Sequence, residues 1–136
     1  MKLSERVHLI ASGQAGCALS HPADCNAYAL QAESGRWLLI DTGCGQESSR
    51  LVAELQRDGV EPSACAAILV THGHLDHSGG AAWLSQQLGA PVWAGALTAS
   101  WLRAGNEAAI GLAAAKSAGV YGAEFHLEPC PIVHEL

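Results

Sequence analysis

The chain has 136 residues, a formal net charge of −6, 49% apolar and 15% charged side chains. That length suits one domain burying about two-thirds of the surface its unfolded form exposes. The composition excludes a disordered chain and the acidic balance excludes a nucleic-acid-binding surface. Five cysteines, at 17, 25, 44, 65 and 130, are irregularly spaced, odd in number and form no C-x-x-C pair. That pattern is neither a disulfide framework nor a zinc finger, and it fits free thiols in a reducing compartment. No apolar stretch is long enough for a membrane span or for a leader-peptide core, so the chain is expected to be cytoplasmic, with no membrane partner.

In chain order, residues 7–10 read as a short strand, followed by a Gly- and Ser-containing segment and a turn at Pro22-Ala23-Asp24. Residues 26–32 and 36–40, separated by Ser34-Gly35, read as a hairpin. The second of these ends in Asp41-Thr42-Gly43-Cys44-Gly45. Taken alone, Asp41 and Thr42 there read as helix-entry residues bonding local N–H groups, and Cys44 as a small packing residue. Residues 47–58 carry Leu51, Val52 and Leu55 at helical spacing and stop at Gly59. The apolar run 66–70 is a buried strand, so strand, helix and strand form a parallel crossover.

After the next loop, Ser78 is expected to cap a helix containing 81–88 that stops at Gly89, and 91–94 a short strand. Residues 97–103 and 107–118 read as two helices joined through Gly105-Asn106, and 121–136 as loop-rich. Trp83, Trp93 and Trp101 are expected to pack in the core or at its rim. His8 and His21 have no ligand-type neighbours in sequence and read as ordinary strand or loop residues.

The chemistry concentrates in Thr71-His72-Gly73-His74-Leu75-Asp76-His77-Ser78-Gly79-Gly80, directly behind the 66–70 strand. Imidazole and carboxylate are ligands for zinc and related cations. His72 and His74, two positions apart in extended backbone, point to one side. Asp76 and His77 follow where the chain bends into a helix and can face a neighbouring position. Gly73 permits close backbone approach, and Gly79-Gly80 lets the helix pack tightly behind the site. The carboxyl end of a parallel strand is where open α/β sheets place their ligands.

Asp41-Thr42-Gly43, a helix, an apolar strand and then the H-x-H-x-D-H motif at 72–77 resemble the metallo-β-lactamase-fold hydrolase superfamily. The resemblance implies an α/β, four-layer αβ/βα sandwich and a dizinc centre, with iron or manganese in some members. His72 and His74 would then ligate one metal, and Asp76 and His77 a second. Asp76 would also move protons as a catalytic group, and Asp41 would orient the His loop. A metal-bound hydroxide would attack an ester, lactone, thioester or amide of a small-molecule substrate.

The family carries three further ligands downstream, a histidine, a bridging aspartate and a C-terminal histidine, in contexts this sequence does not repeat. His126 and His134 lie downstream but in unlike surroundings, and they read as surface histidines. The expectation is a single domain over 1–136 truncated on its C-terminal side, the first αβ half of the sandwich. A homodimer or a missing C-terminal half would complete it. The competing expectation is a catalytically silent fragment or interaction module that keeps part of the metal site.

Overall fold

The computed structural model describes residues 1–131 and 133–136. Among the described residues, β1 (Val7–Ala11), β2 (Ala27–Gln31), β3 (Trp37–Ile40), β4 (Cys65–Val70), β5 (Val92–Ala94) and β6 (Val133–Glu135) form one sheet in sequence order. The first three strands are an antiparallel meander, with Tyr28 opposite Ile40 and Leu30 opposite Leu38. From β3 onward the pairing is parallel. The switch follows from the connections: Ser34-Gly35 permits a hairpin, whereas β3 reaches β4 through the helix α1 (Ser49–Arg57).

The helices α1, α3 (Ala81–Leu88) and α4 (Ala96–Ala104) cover one face of the sheet. Strand alternation puts Ala29, Leu39, Ile68 and Val92 on that face, all fully buried. Leu51 and Leu55, one helical turn apart, meet them from α1, and Leu84 and Leu102 from α3 and α4. Truncating any of these leucines to alanine costs about 2–5 kcal/mol. The opposite face carries Tyr28, Leu30, Leu38, Ile40 and Leu69, only half-buried, and Trp93, which is exposed. That face is apolar and, among the described residues, has no helix layer comparable to the first. A second cluster, of Cys44, Leu75, Ile110, Leu112, Tyr121 and Leu127, lies under the ends of β3 and β4.

Three local expectations change. Ser78 caps no helix: it ends a separate turn, α2 (Leu75–Ser78), and its hydroxyl donates to the Gly73 and His74 carbonyls at 3.2 and 3.1 Å. The 107–118 helix is cut short, because Gly111 takes φ 85° and only α5 (Leu112–Ser117) is helical. The 121–136 segment ends in a strand, β6, paired with β5 from Val92↔Val133 to Ala94↔Glu135. His8 is also less ordinary than its sequence suggests, being buried edge-on against Trp37 with Nδ1 2.8 Å from the Asp58 carboxylate. Among the described residues no helix is long and apolar enough to cross a membrane.

Candidate metal centre

Two loops at the carboxyl ends of the parallel strands β3 and β4 build the centre, and they are locked together by backbone. Thr42 donates from both its N–H and its hydroxyl to the His77 carbonyl at 2.8 Å, and the Gly80 N–H donates to the Gly43 carbonyl. A Cβ at Gly80 would stand 2.4 Å from the Thr42 carbonyl oxygen, and one at Gly79 2.2 Å from that of Cys44. Glycine is therefore required at both positions for this approach. Gly73 lies as close to the Trp101 ring, where a Cβ would fall 2.7 Å from Cε3. Trp101 thus backs the His loop, while Trp83 packs against the main core and Trp93 stacks on His134. Leu75, buried in the second cluster against which Trp101 also packs, anchors the same loop.

Asp41 is the hub. It is buried and adopts φ 62°, a left-handed conformation that aims its carboxylate back at the His loop. It accepts the Thr71 N–H at 2.8 Å, the Thr71 hydroxyl at 2.8 Å and the His77 Nδ1–H at 2.8 Å. The bond from Nδ1 leaves the His77 Nε2 lone pair free, the arrangement in which a carboxylate orients a metal-binding imidazole. Because the single Thr71 hydroxyl proton goes to Asp41, its oxygen is left to accept from His72 Nδ1 at 3.0 Å. That fixes the same tautomer in His72, with Nε2 free. One carboxylate therefore sets two histidines, the second through Thr71.

The four motif residues come together at the surface end of this frame. His72 Nε2 and His74 Nδ1 are 3.2 Å apart. The His72 and His77 rings are 4.0 Å apart between centroids, and an Asp76 carboxylate oxygen lies 3.5 Å from His77 Nε2. Two nitrogens bound to one tetrahedral zinc at about 2.0–2.1 Å stand roughly 3.3 Å from each other. The donor types and the His72–His74 spacing thus fit a cation. Partial burial and the neighbouring His77 and His74 hold His72 below the usual histidine pKa, so it keeps its lone pair.

His126 and His134 are engaged elsewhere, His126 Nδ1 with Glu107 at 2.9 Å and His134 on the indole of Trp93. A cleft of about 370 Å³ opens beside His74 and Asp76, walled by Ala23, Ile110, Ala115, Val120 and Tyr121.

Two further residue groups were not visible in the sequence. His21, Asp24 and Cys44 place donor atoms within 4.8 Å of one another. Here Asp24 already accepts from Ser20 Oγ, the His21 N–H and the Cys44 N–H, so it clamps two loops together. Cys25, Asp41 and His77 form the other group, also within 4.8 Å. Cys25 precedes β2, and its N–H donates to the Asp76 carbonyl at 3.1 Å. Burial, with help from Asp41 and Asp76, pushes its thiol up to about 12. No spacing rule links residue 25 to residues 41 and 77; only the docking of three chain segments does.

Residues 22–117 match the family profile described as the metallo-beta-lactamase superfamily. A hydroxyacylglutathione hydrolase of Xanthomonas axonopodis pv. citri (strain 306) is 42% identical over 60 residues, which is 44% of this chain and 21% of that protein. The match thus spans about a fifth of that curated relative's length. Among solved structures, a B3 metallo-beta-lactamase with an active-site glutamic acid superposes with a TM-score of 0.70 at 20% identity, covering 99% of this chain and 44% of that one. A metallo-beta-lactamase of Cronobacter sakazakii with an HARLDQ motif gives a TM-score of 0.65 at 21% identity, covering 77% of this chain and 38% of that one. At these identities the likeness is one of fold. It is the metallo-beta-lactamase fold over part of those chains, matching the expected α/β class.

Proposed function

The chain belongs to the metallo-beta-lactamase superfamily, and from that premise we propose that it carries the first half of a metal-dependent hydrolase centre. The observation that carries this reading is the 3.2 Å separation of His72 Nε2 and His74 Nδ1, close to the spacing of two nitrogens that share one zinc ion. His72 and His74 would hold one zinc ion, and Asp76 and His77 a second. When bound, such a cation lowers the pKa of water toward neutrality and polarises a carbonyl oxygen.

The chain's own residues have three tasks in this reading. Asp41 and Thr71 accept from Nδ1 of His77 and His72, so that Nε2 of each ring is turned to the site. Asp76, whose side chain is half-exposed and 3.5 Å from His77 Nε2, takes the proton from the attacking water and returns it to the leaving group. The cleft beside His74 and Asp76 receives the apolar part of an ester, lactone, thioester or amide. The likeness to a hydroxyacylglutathione hydrolase puts a thioester first among these for testing.

The apolar sheet face with Tyr28, Leu30, Leu38, Ile40, Leu69 and Trp93 suits a second sheet laid against it. We read residues 1–136 as one αβ half whose counterpart comes from further chain or from a second copy, which also supplies remaining ligands.

The competing reading, a silent module with part of a metal site, has one observation in its favour: His126 and His134 already have other partners. Zinc-loaded chain assayed on a small thioester separates the two. Hydrolysis that saturates with substrate and is lost in His74→Ala supports the hydrolase, while zinc uptake without turnover supports the silent module.

A further inference from the structure

We propose that the substrate of this centre carries an uncharged aliphatic group, and that the cleft beside His74 and Asp76 takes it, with Ala115 and Val120 setting its length. The inference rests on the hydrolase reading above and names the kind of substrate that reading serves.

The cleft, of about 370 Å³, falls within the range of small-molecule pockets, about 300–1,000 Å³. Its polar side chains are His74 and Asp76 of the motif and Tyr121; the rest of its lining is aliphatic or glycine. The Tyr121 hydroxyl is bonded to the buried Cys44 thiol, so its ring is what remains for a ligand. Among the described residues no lysine or arginine lines the cleft, and Asp76 is a carboxylate. An anionic group there would meet repulsion and no partner, and a hydrogen-bonding group would lose its water without replacement. The polar end of a substrate therefore belongs at His74 and Asp76, and the remainder meets apolar surface, which an alkyl group suits.

The wall is preformed and tied to the motif. The Leu75 N–H donates to the Ile110 carbonyl at 3.0 Å, joining the His loop to the 106–111 segment. The Val120 N–H donates to the Ala115 carbonyl at 2.9 Å, and Gly119, at φ 73°, makes the turn that brings Val120 back to the cleft. Lys116 Nζ, bonded to Glu107 at 2.9 Å, fastens α5 to the segment before it. Val120 is 61% exposed, an apolar side chain standing in water beside the site, and a bound alkyl group would cover it. Ala115, half-buried on α5, is small where a longer side chain would fill the cleft.

Methyl NMR of the full chain, freed of metal with a chelator, tests the cleft apart from any chemistry. Hexanamide, an uncharged probe, is expected to shift the methyls of Ile110, Ala115 and Val120 and to leave Leu30 and Leu38 on the open sheet face unmoved. It should bind about tenfold more tightly than butanamide, since each buried methylene contributes up to about fourfold. It should also bind more tightly than hexanoate, which Asp76 repels. Ala115→Leu should abolish hexanamide binding, and Val120→Ala, at an exposed position, should weaken it about two- to fourfold. No shift of the cleft methyls near the solubility limit of hexanamide, shifts confined to Leu30 and Leu38, hexanoate binding as well as hexanamide, or undiminished binding in both variants would each overturn the proposal.

Zinc-loaded chain supplies the second readout. On thioesters lengthened from acetyl to hexanoyl, or from S-ethyl to S-hexyl, kcat/KM is expected to rise about two- to fourfold per methylene in one of the two series and to flatten in Ala115→Leu. Turnover that is flat in both series overturns the proposal. No turnover on any thioester would sink the hydrolase reading alone, and the hexanamide titration then decides what the cleft takes.

Discussion

Replacing Asp41 by Asn isolates what the buried carboxylate does, because Asn tolerates the φ of 62° found there. The amide oxygen can still accept the Thr71 N–H, which Asp41 Oδ1 accepts at 2.8 Å. The amide nitrogen then occupies the position of Oδ2, where it faces the Thr71 hydroxyl and His77 Nδ1, each 2.8 Å away. A donor now meets the His77 N–H, so His77 must turn to its Nε2–H tautomer. The Thr71 hydroxyl keeps an acceptor, because it also lies 3.0 Å from Oδ1, and His72 keeps its tautomer. One ligand nitrogen becomes protonated. Loss of an outer partner of a metal-binding histidine costs about 10–100-fold in affinity. With one histidine affected, Asp41→Asn should weaken zinc binding by at least about tenfold, or about 1.4 kcal/mol. Asp41→Ala offers neither donor nor acceptor and leaves the tautomers free. It should therefore lose less affinity than Asn, although alanine at this φ and three orphaned donors make it the less stable variant by urea unfolding. Competition titration against a chromophoric zinc chelator measures both. Zinc affinity of Asp41→Asn within threefold of wild type, or better than that of Asp41→Ala, would refute the tautomer argument.

Thr71→Val keeps the shape but removes the relay to His72, and should cost about tenfold in zinc affinity, with Thr71→Ser restoring it; equal affinities for Val and Ser would show that the hydroxyl is idle. Gly73→Ala sets a methyl 2.7 Å from Trp101 Cε3, so it should destabilise the chain by about 1–3 kcal/mol and shift Trp101 fluorescence; an unperturbed melting curve would contradict the close packing. Away from the site, Lys116 and His126 hold Glu107 below its ordinary 4.5, at about 2. A depressed carboxylate stabilises the fold above its unfolded pKa and loses that contribution as pH falls through its folded pKa. The stability gap between wild type and Glu107→Gln should accordingly be full above pH 4.5 and shrink toward pH 2; a pH-independent gap would count against the contact.

Periodicity carried most of the fold. The strands β1 to β5 and the helices α1, α3 and α4 lie within a residue or two of the boundaries that apolar spacing and the glycines at 59, 89 and 105 imply. β6 escaped because three residues behind Pro129 and Pro131 carry no alternation of their own, and only β5 makes them a strand. The apparent helix over 107–118 failed because Ala-rich sequence favours helix locally while Gly111 at φ 85° breaks it. At the site, His72, His74, Asp76 and His77 are contiguous and therefore legible. Asp41 was legible only through resemblance, since its partners are 30 and 36 residues away. Thr71 and Cys25 gain meaning only once the loops dock.

Zinc titration of the ¹⁵N-labelled chain, followed through the imidazole nitrogens, tests the metal centre most directly. Apo His72 and His77 are expected as Nδ1–H tautomers, and zinc is expected to shift His72 Nε2 and His74 Nδ1 together, at the same equivalence. Zinc that leaves these two nitrogens unmoved, or that moves those of His126 or His134 instead, would contradict it.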